Sequence, residues 1–509
     1  MLNPTPAEYV FIRICIWILG AIVPISALAT LYSTIADTLP SLPTIPLPLR
    51  LYFAIETGFW VLFQLPLYHS IQEEARHPPL LSEEARRTLF ARVTKDVEAA
   101  DLEHHLRWWF RGAPLSAIGR DGVKDWLAWA FFEGRIDVSG AEDELERYTR
   151  QFESLLGHTF ARGYGTATPI RLTLDKVELH GYRSLTWYTM VGIVDFSTYV
   201  RLWCSGYQHY RVPLKQFWRL FPCRPVALTA RRLSPAQHLS YWYRPHTAKD
   251  RVPIVFIHGI GIGLYPYVDF LHELTSAEDD DKSQDGQIGV IALEIMPISF
   301  RVTHAALSRD DTCDEINTIL QHHGWDKCVL IGHSYGTIIA THMLHDKALR
   351  PKISSMVLID PVCFLLHTPD VAYNFTVRKP ARANEWQLWY FASQDPGVAH
   401  TLGRRFFWSE NVLWLDDLVP LMESTGLKMT ASLAERDLIV NTEAVGRYIS
   451  GSTSASYGTF AADWKHAELK GKGFEVIWNE DCDHGQVFDT KRNRIRLVEV
   501  VGNYCKDGA

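Results

Sequence analysis

Three residues far apart in the chain have the types and settings that serine-based acyl chemistry requires: Ser334, Asp437 and His484. Ser334 stands in Gly332-His333-Ser334-Tyr335-Gly336, after the apolar run Cys328 to Ile331 and before a small-residue helix start, Thr337 to Thr341. A buried strand turning sharply into a helix holds such a serine in a strained conformation with its hydroxyl exposed. Gly332 and Gly336 must then lack side chains, because strand and helix pass close to each other. The free N–H groups at the helix start face charge developing on a substrate. A serine hydroxyl also needs a base to take its proton and an acid to orient that base. His484 follows the last apolar strand, Glu475 to Trp478, and Asp437 follows the strand Lys428 to Ala434.

Other residues compete for these roles. Asp360, after the strand Met356 to Ile359, could also reach the histidine; Asp-Pro is more often a turn device, and the loop around Asp437 favours that residue. Glu435 lies too close to its strand end. His400 and His466 fall outside strand-end loops, and His333 points across the elbow away from the serine. About 75 residues before Ser334, the strand Pro253 to Ile257 ends in His258-Gly259-Ile260-Gly261. A glycine-rich turn there lets backbone N–H groups face an oxyanion, and the hole is assigned to the N–H groups of Ile260 and Tyr335. His258 is expected to hold this loop by hydrogen bonds rather than to act as the base.

The elements that must position these residues follow from the hydrophobic pattern. From 246 to 505 short apolar strands alternate with helical stretches, which predicts a parallel sheet covered on both faces. Each polar motif sits at the carboxyl end of a strand, where active sites of such sheets lie. Through His258-Gly259-Ile260-Gly261, Gly332-His333-Ser334-Tyr335-Gly336, Glu435-Arg436-Asp437 and Asp483-His484-Gly485 the second half of the chain resembles the α/β-hydrolase superfamily, most of all its fungal and protist membrane-anchored members. The resemblance implies an α/β-hydrolase fold with Ser334 as nucleophile, Asp437 as acid, His484 as base, and neither cofactor nor metal. A serine at the elbow speaks against the epoxide-hydrolase and dehalogenase branches, which carry aspartate there. The core is expected at 246–362 and 427–505, with a lid inserted at 363–426. That insertion is dense in aromatic residues, which suits an acyl chain or another lipid-like substrate.

The first half reads differently. No charge occurs between Arg13 and Asp37, so residues 1–69 are expected to anchor the chain in a membrane. A second apolar run, Leu51 to Tyr68, carries Glu56 near its centre, at a cost of roughly 2.5–3.5 kcal/mol on an insertion scale. It could span, re-enter or lie at the interface. A cleaved signal peptide competes for the first run, but that run is longer than an h-region and residues 1–12 lack Lys and Arg. Basic residues cluster after Tyr68, whereas the loop between the runs has only Arg50. Both ends of the hairpin, and the catalytic part, are therefore expected in the cytosol. Asn374-Phe-Thr is a glycosylation sequon that would matter only in a lumenal protein. Residues 70–245 read as mainly helical, with aromatic clusters around Trp108 and Trp126 expected to pack a core. Tyr188 to Val194 is a possible further membrane contact.

The 509-residue chain is 47% hydrophobic with a net charge of −7, which excludes a mostly disordered chain and gives no reason to expect nucleic acid. Its eight cysteines form no CxxC pair, which argues against a zinc site and a disulfide scaffold. The expected function is a membrane-anchored serine hydrolase that cleaves a carboxylic ester of an apolar or lipid-like substrate through an acyl-enzyme. Acyl transfer to another acceptor is one alternative, suggested weakly by the His484-x4-Asp489 spacing. A non-catalytic membrane scaffold is the other.

Overall fold

In the computed structural model, residues 2–508 are described apart from 40, 96, 138, 277–285, 452–463 and 467–472. Nine strands form one sheet: β1 (Gln208–Arg211), β2 (Arg232–Leu233), β3 (Ser240–Arg244), β4 (Ile254–Ile257), β5 (Val290–Glu294), β6 (Cys328–His333), β7 (Ile353–Ile359), β8 (Lys428–Ala434) and β9 (Phe474–Asn479). Their order across the sheet is β2-β1-β3-β5-β4-β6-β7-β8-β9. From β5 to β9 every pair is parallel, and β3 joins β5 and β1 antiparallel. The inner strands read as near-continuous apolar runs because both faces are covered. Alternation still sorts them: Ile254, Phe256, Val329 and Ile331 join one core, while Val255, Ile257 and Leu330 join the other.

The sheet starts earlier in the chain than expected. The boundary at 246 is corrected by β1, β2 and β3, which lie inside the region taken as helical and extend the sheet at one edge. Gln208–Arg211 and Ser240–Arg244 are four and five residues long and mix charges with aromatics. Runs that short and polar carry too little periodicity to stand out beside long helices.

The helices before the sheet are α1 (Pro6–Ala36), α2 (Leu47–Phe59), α3 (Leu65–Ser70), α4 (Glu83–Thr94), α5 (Ala99–Trp109), α6 (Arg120–Phe132), α7 (Ala141–Leu156) and α8 (Leu185–Cys204). The aromatic clusters pack inward: Trp109, Trp126, Trp129, Phe131 and Phe132 are all buried in the core that continues through the sheet. The insertion after β7 folds over this core as helical segments between Asp370 and Thr425. It is pinned to α6 by the Trp408 indole N–H on the Ala130 carbonyl (3.0 Å) and to α4 by Arg92 on Asp417 (2.8 Å). The sequon residue Asn374 lies in this insertion and donates its amide to the Ile439 carbonyl at 3.0 Å.

Helix α1 is 31 residues long, and it is long and apolar enough to cross a membrane. Thr5 caps it by accepting from the Glu8 N–H, and Pro6 occupies its first position, where the missing N–H costs nothing. It packs against α2, with the Thr30 and Thr57 hydroxyls 3.1 Å apart. Glu56 is turned into the protein and is 1% exposed. Its carboxylate accepts from the N–H groups of Leu185 and Thr186, both at 2.8 Å, at the start of α8. Charge-assisted bonds at a helix N-terminus offset the desolvation that made this residue look out of place in an apolar run.

Candidate active site

Ser334 ends the turn between β6 and the following helix, Gly336–His345, with φ at 52°. A β-carbon on Gly336 would sit 2.3 Å from the Ile257 carbonyl oxygen, and one on Gly332 would sit 2.8 Å from the Gly336 oxygen. Gly259 is constrained in the same way, since its β-carbon would come within 2.7 Å of the Ser334 Cβ. Backbone cannot yield as a side chain can, so these three positions exclude any side chain. The left-handed serine is the strain that aims its hydroxyl outward.

Loops from β8 and β9 bring the other two residues to this hydroxyl. His484 Nε2 lies 2.8 Å from Ser334 Oγ, and His484 Nδ1 lies 2.7 Å from Asp437 Oδ2. The other oxygen of Asp437 accepts from the N–H groups of Ile439 (2.8 Å) and Val440 (2.9 Å), which fixes the carboxylate plane. With Nδ1–H donated to Asp437, Nε2 is the atom left to accept the serine proton. Burial alone would push the imidazole down; the charges of Asp437, Asp360 and Asp483 outweigh it and lift His484 to about 9. Both ring nitrogens are thus engaged.

The loop after β4 faces the same hydroxyl. The Gly261 N–H is spent on the Ile298 carbonyl at 3.1 Å. Among the described residues the N–H groups of Ile260 and Tyr335 have no acceptor, and both residues line the cavity beside Ser334. His258 is fully buried, with Nδ1 on the Gly259 carbonyl (2.8 Å) and Nε2 accepting from the Ile295 N–H (2.9 Å). Burial holds it down at about 4, so it stays neutral and ties β4 to the end of β5.

Four residues that the sequence did not mark for this role complete the support. The Tyr267 hydroxyl accepts from the Gly259 N–H (3.2 Å) and lies 2.8 Å from His333 Nδ1, locking the glycine turn to the elbow. Asp360, considered above only as a rival acid, is fully buried and accepts from the N–H groups of Ala434 (3.1 Å) and Gly485 (2.7 Å). It therefore binds the loops that carry Asp437 and His484 to β7, and its carboxyl is held below the usual range despite burial by His333 and His484. Asp483 accepts from the Leu438 N–H (3.0 Å) and from the Asn384 amide (2.6 Å), linking the histidine loop to the insertion. An asparagine inside an aromatic lid and a tyrosine in an early helix carry no spacing signal for this. Asp360, Asp437 and His484 also lie close enough to one another to ligate a metal. The hydrogen bonds just described already occupy those atoms, which fits a proton-transfer chain better than a cation site.

An apolar cavity opens beside Ser334. Trp109 and Trp129 of the helical region, Phe375, Phe406 and Trp408 of the insertion, and Ile260 of the glycine turn form its walls. A second, wider space adjoins it and shares Leu172, Thr376 and Leu402. Trp386 and Trp389 help to line it, and the Arg13 guanidinium of α1 lies 3.7 Å above the Trp386 ring.

Residues 252–472 match the family model described as the alpha/beta hydrolase fold. No curated protein matches the chain. Among solved structures the chain is similar to a bacterial membrane phospholipase A at 12% identity, over 63% of this chain and 94% of that one, with a TM-score of 0.38. It is similar to the carboxylesterase CesB of Bacillus subtilis at 12% identity, over 62% and 99%, with a TM-score of 0.35. A carboxylesterase structure from the thaumarchaeon Nitrososphaera gargenis aligns at 18% identity over 53% and 96%, with a TM-score of 0.33.

Proposed function

Residues 252–472 belong to the α/β-hydrolase superfamily, and we propose that the chain is a membrane-anchored serine hydrolase that cleaves a carboxylic ester of an apolar or lipid-like substrate. The observation that carries this reading is the continuous chain from Asp437 through His484 to Ser334, opening on an apolar cavity. Ser334 Oγ attacks the ester carbonyl while His484 Nε2 takes its proton. The tetrahedral oxyanion is met by the N–H groups of Ile260 and Tyr335. His484 returns the proton to the leaving alcohol, and a water activated by the same imidazole then releases the acid from the acyl-enzyme. The apolar walls support an acyl chain, α1 supports the anchor, and the basic residues after Tyr68 support a body on the cytosolic side.

Labelling of the detergent-solubilised protein by a fluorophosphonate tests the reading. The wild type is expected to label at Ser334, and esters of longer acyl chain to compete better than acetate. Trp129→Ala, which opens a wall of the cavity, is expected to shift that preference toward longer chains. A folded wild type that takes no label would sink the proposal.

The pH profile tests the base. Only neutral His484 can accept a proton, and the imidazole lifted to about 9 is mostly charged at neutral pH. On a soluble ester, kcat/KM is therefore expected to climb about tenfold per pH unit below that value and level off above it. Asp360→Asn removes one of the charges that favour the cation, so the rising limb should move to lower pH by roughly one unit. A profile already flat from pH 7 upward would contradict the electrostatics of this site.

A further inference from the structure

Helix α8 buries Trp187, Tyr188, Val191 and Leu202 and leaves its opposite side bare. Met190 (47%), Ile193 (63%), Phe196 (52%), Val200 (38%) and Trp203 (67%) are exposed at steps of three and four, a single stripe along the helix. Neither charged residue of α8 interrupts it. Asp195 is held between Arg224 and Arg301, at 2.8 Å from each, and Arg201 pairs with Asp269. A row of large apolar side chains in water is uncommon unless something covers it.

The stripe is continuous with the apolar hairpin. Glu56 of α2 caps α8, and the Tyr52 and Thr186 hydroxyls are 2.9 Å apart. On the hairpin itself Trp17 (72%), Leu28 (67%) and Ile55 (56%) are exposed. The segment leading to Phe221, whose ring packs on Tyr188, adds exposed Leu214 and Trp218, interleaved with exposed Lys215 and Arg219. Tryptophans at an apolar edge beside basic residues suit the headgroup layer of a bilayer, where amphipathic rings and cations both find partners.

We propose that the α8 stripe rests in the interfacial layer of the bilayer that holds α1, so that the catalytic body lies on the membrane instead of swinging from a tether. The proposal rests on the anchor reading above. Burying five such side chains over one helix matches an interfacial helix, whose apolar side sinks into the boundary between headgroups and acyl chains. The body is then fixed in orientation by two contacts, the hairpin and the stripe.

The test is lipid quenching of a fluorophore on the stripe in the full-length chain. Cys15, Cys204 and Cys223 are replaced by serine, and bimane is attached to Phe196→Cys or, as a control on exposed α7, to Glu142→Cys. The protein is reconstituted in phosphatidylcholine–phosphatidylserine vesicles with and without bromine on the acyl chains. Bromine is expected to quench position 196 at least twofold and to leave position 142 unchanged. Equal signals in vesicles that float with the protein would overturn the proposal while leaving the anchor intact. A protein that does not float would remove the anchor reading itself. Disulfide-linked dimers through position 196 would show that a second copy covers the stripe, which also overturns the proposal. In parallel, Phe196→Asp/Trp203→Asp should keep its rate on a water-soluble ester and lose at least fivefold on an ester presented in vesicles; equal rates on both would count against it.

Discussion

Ser334→Ala is expected to reduce ester hydrolysis by on the order of 10⁵-fold or more, with the thermal unfolding midpoint close to that of the wild type. Only Oγ is lost, and its main partner is His484 Nε2 at 2.8 Å. The left-handed backbone at 334 remains, as does the bond from its N–H to the Ile359 carbonyl at 2.9 Å. The variant should therefore still bind an apolar ester while forming no acyl-enzyme. His484→Ala should lose nearly as much, and the double variant little more, because the two act as one unit. Single-turnover hydrolysis of a chromogenic ester checks all three. A Ser334→Ala protein that retained more than about a thousandth of wild-type turnover would point to a different nucleophile, since removing one triad member leaves only the background supplied by binding and the oxyanion hole.

Asp437→Asn carries the second largest effect, a loss of about 10³–10⁴ in kcat. An amide at this position can donate to Nδ1, which leaves the proton on Nε2, facing a serine that needs an acceptor. Asp360→Asn should cost far less, because Asp360 faces the N–H groups of Ala434 and Gly485 and is not the hydrogen-bond partner of the ring. Its signature is the displaced pH profile with a modest change in the plateau. Comparing the two variants on the same ester separates the acid that orients the base from the carboxylate that supports its loop. Equal losses in both would mean that the two carboxylates share the acid's role.

A mechanism built on this geometry also gives the helical half a place. Trp109 and Trp129 come from residues with no motif of their own, yet they wall the cavity beside Ser334. Their spacing in the chain favoured a packed aromatic core over a surface resting on the membrane or on the hydrolase part, and they do pack one. That the same core opens onto the serine depends on where the insertion lies, with Trp408 bonded to Ala130 across the two regions.

Features encoded over a few neighbouring residues could be read from the chain alone. The elbow at 332–336, the glycine turn at 258–261 and the carboxylate and imidazole after late strands were legible because turn sterics and strand-end chemistry are local. So were the apolar inner strands and the 31-residue helix at the start. The rest depended on contacts between distant parts of the folded chain. Strands β1 to β3 were too short to show a period, and β3 becomes a strand by pairing with β5 and β1. Glu56 read as a charge stranded in an apolar run, since its partners at Leu185 and Thr186 lie some 130 residues away. The supporting roles of Asp360, Tyr267 and Asp483 were hidden for the same reason. A buried polar group takes its meaning from the hydrogen bonds it satisfies, and those partners meet only once the chain has folded.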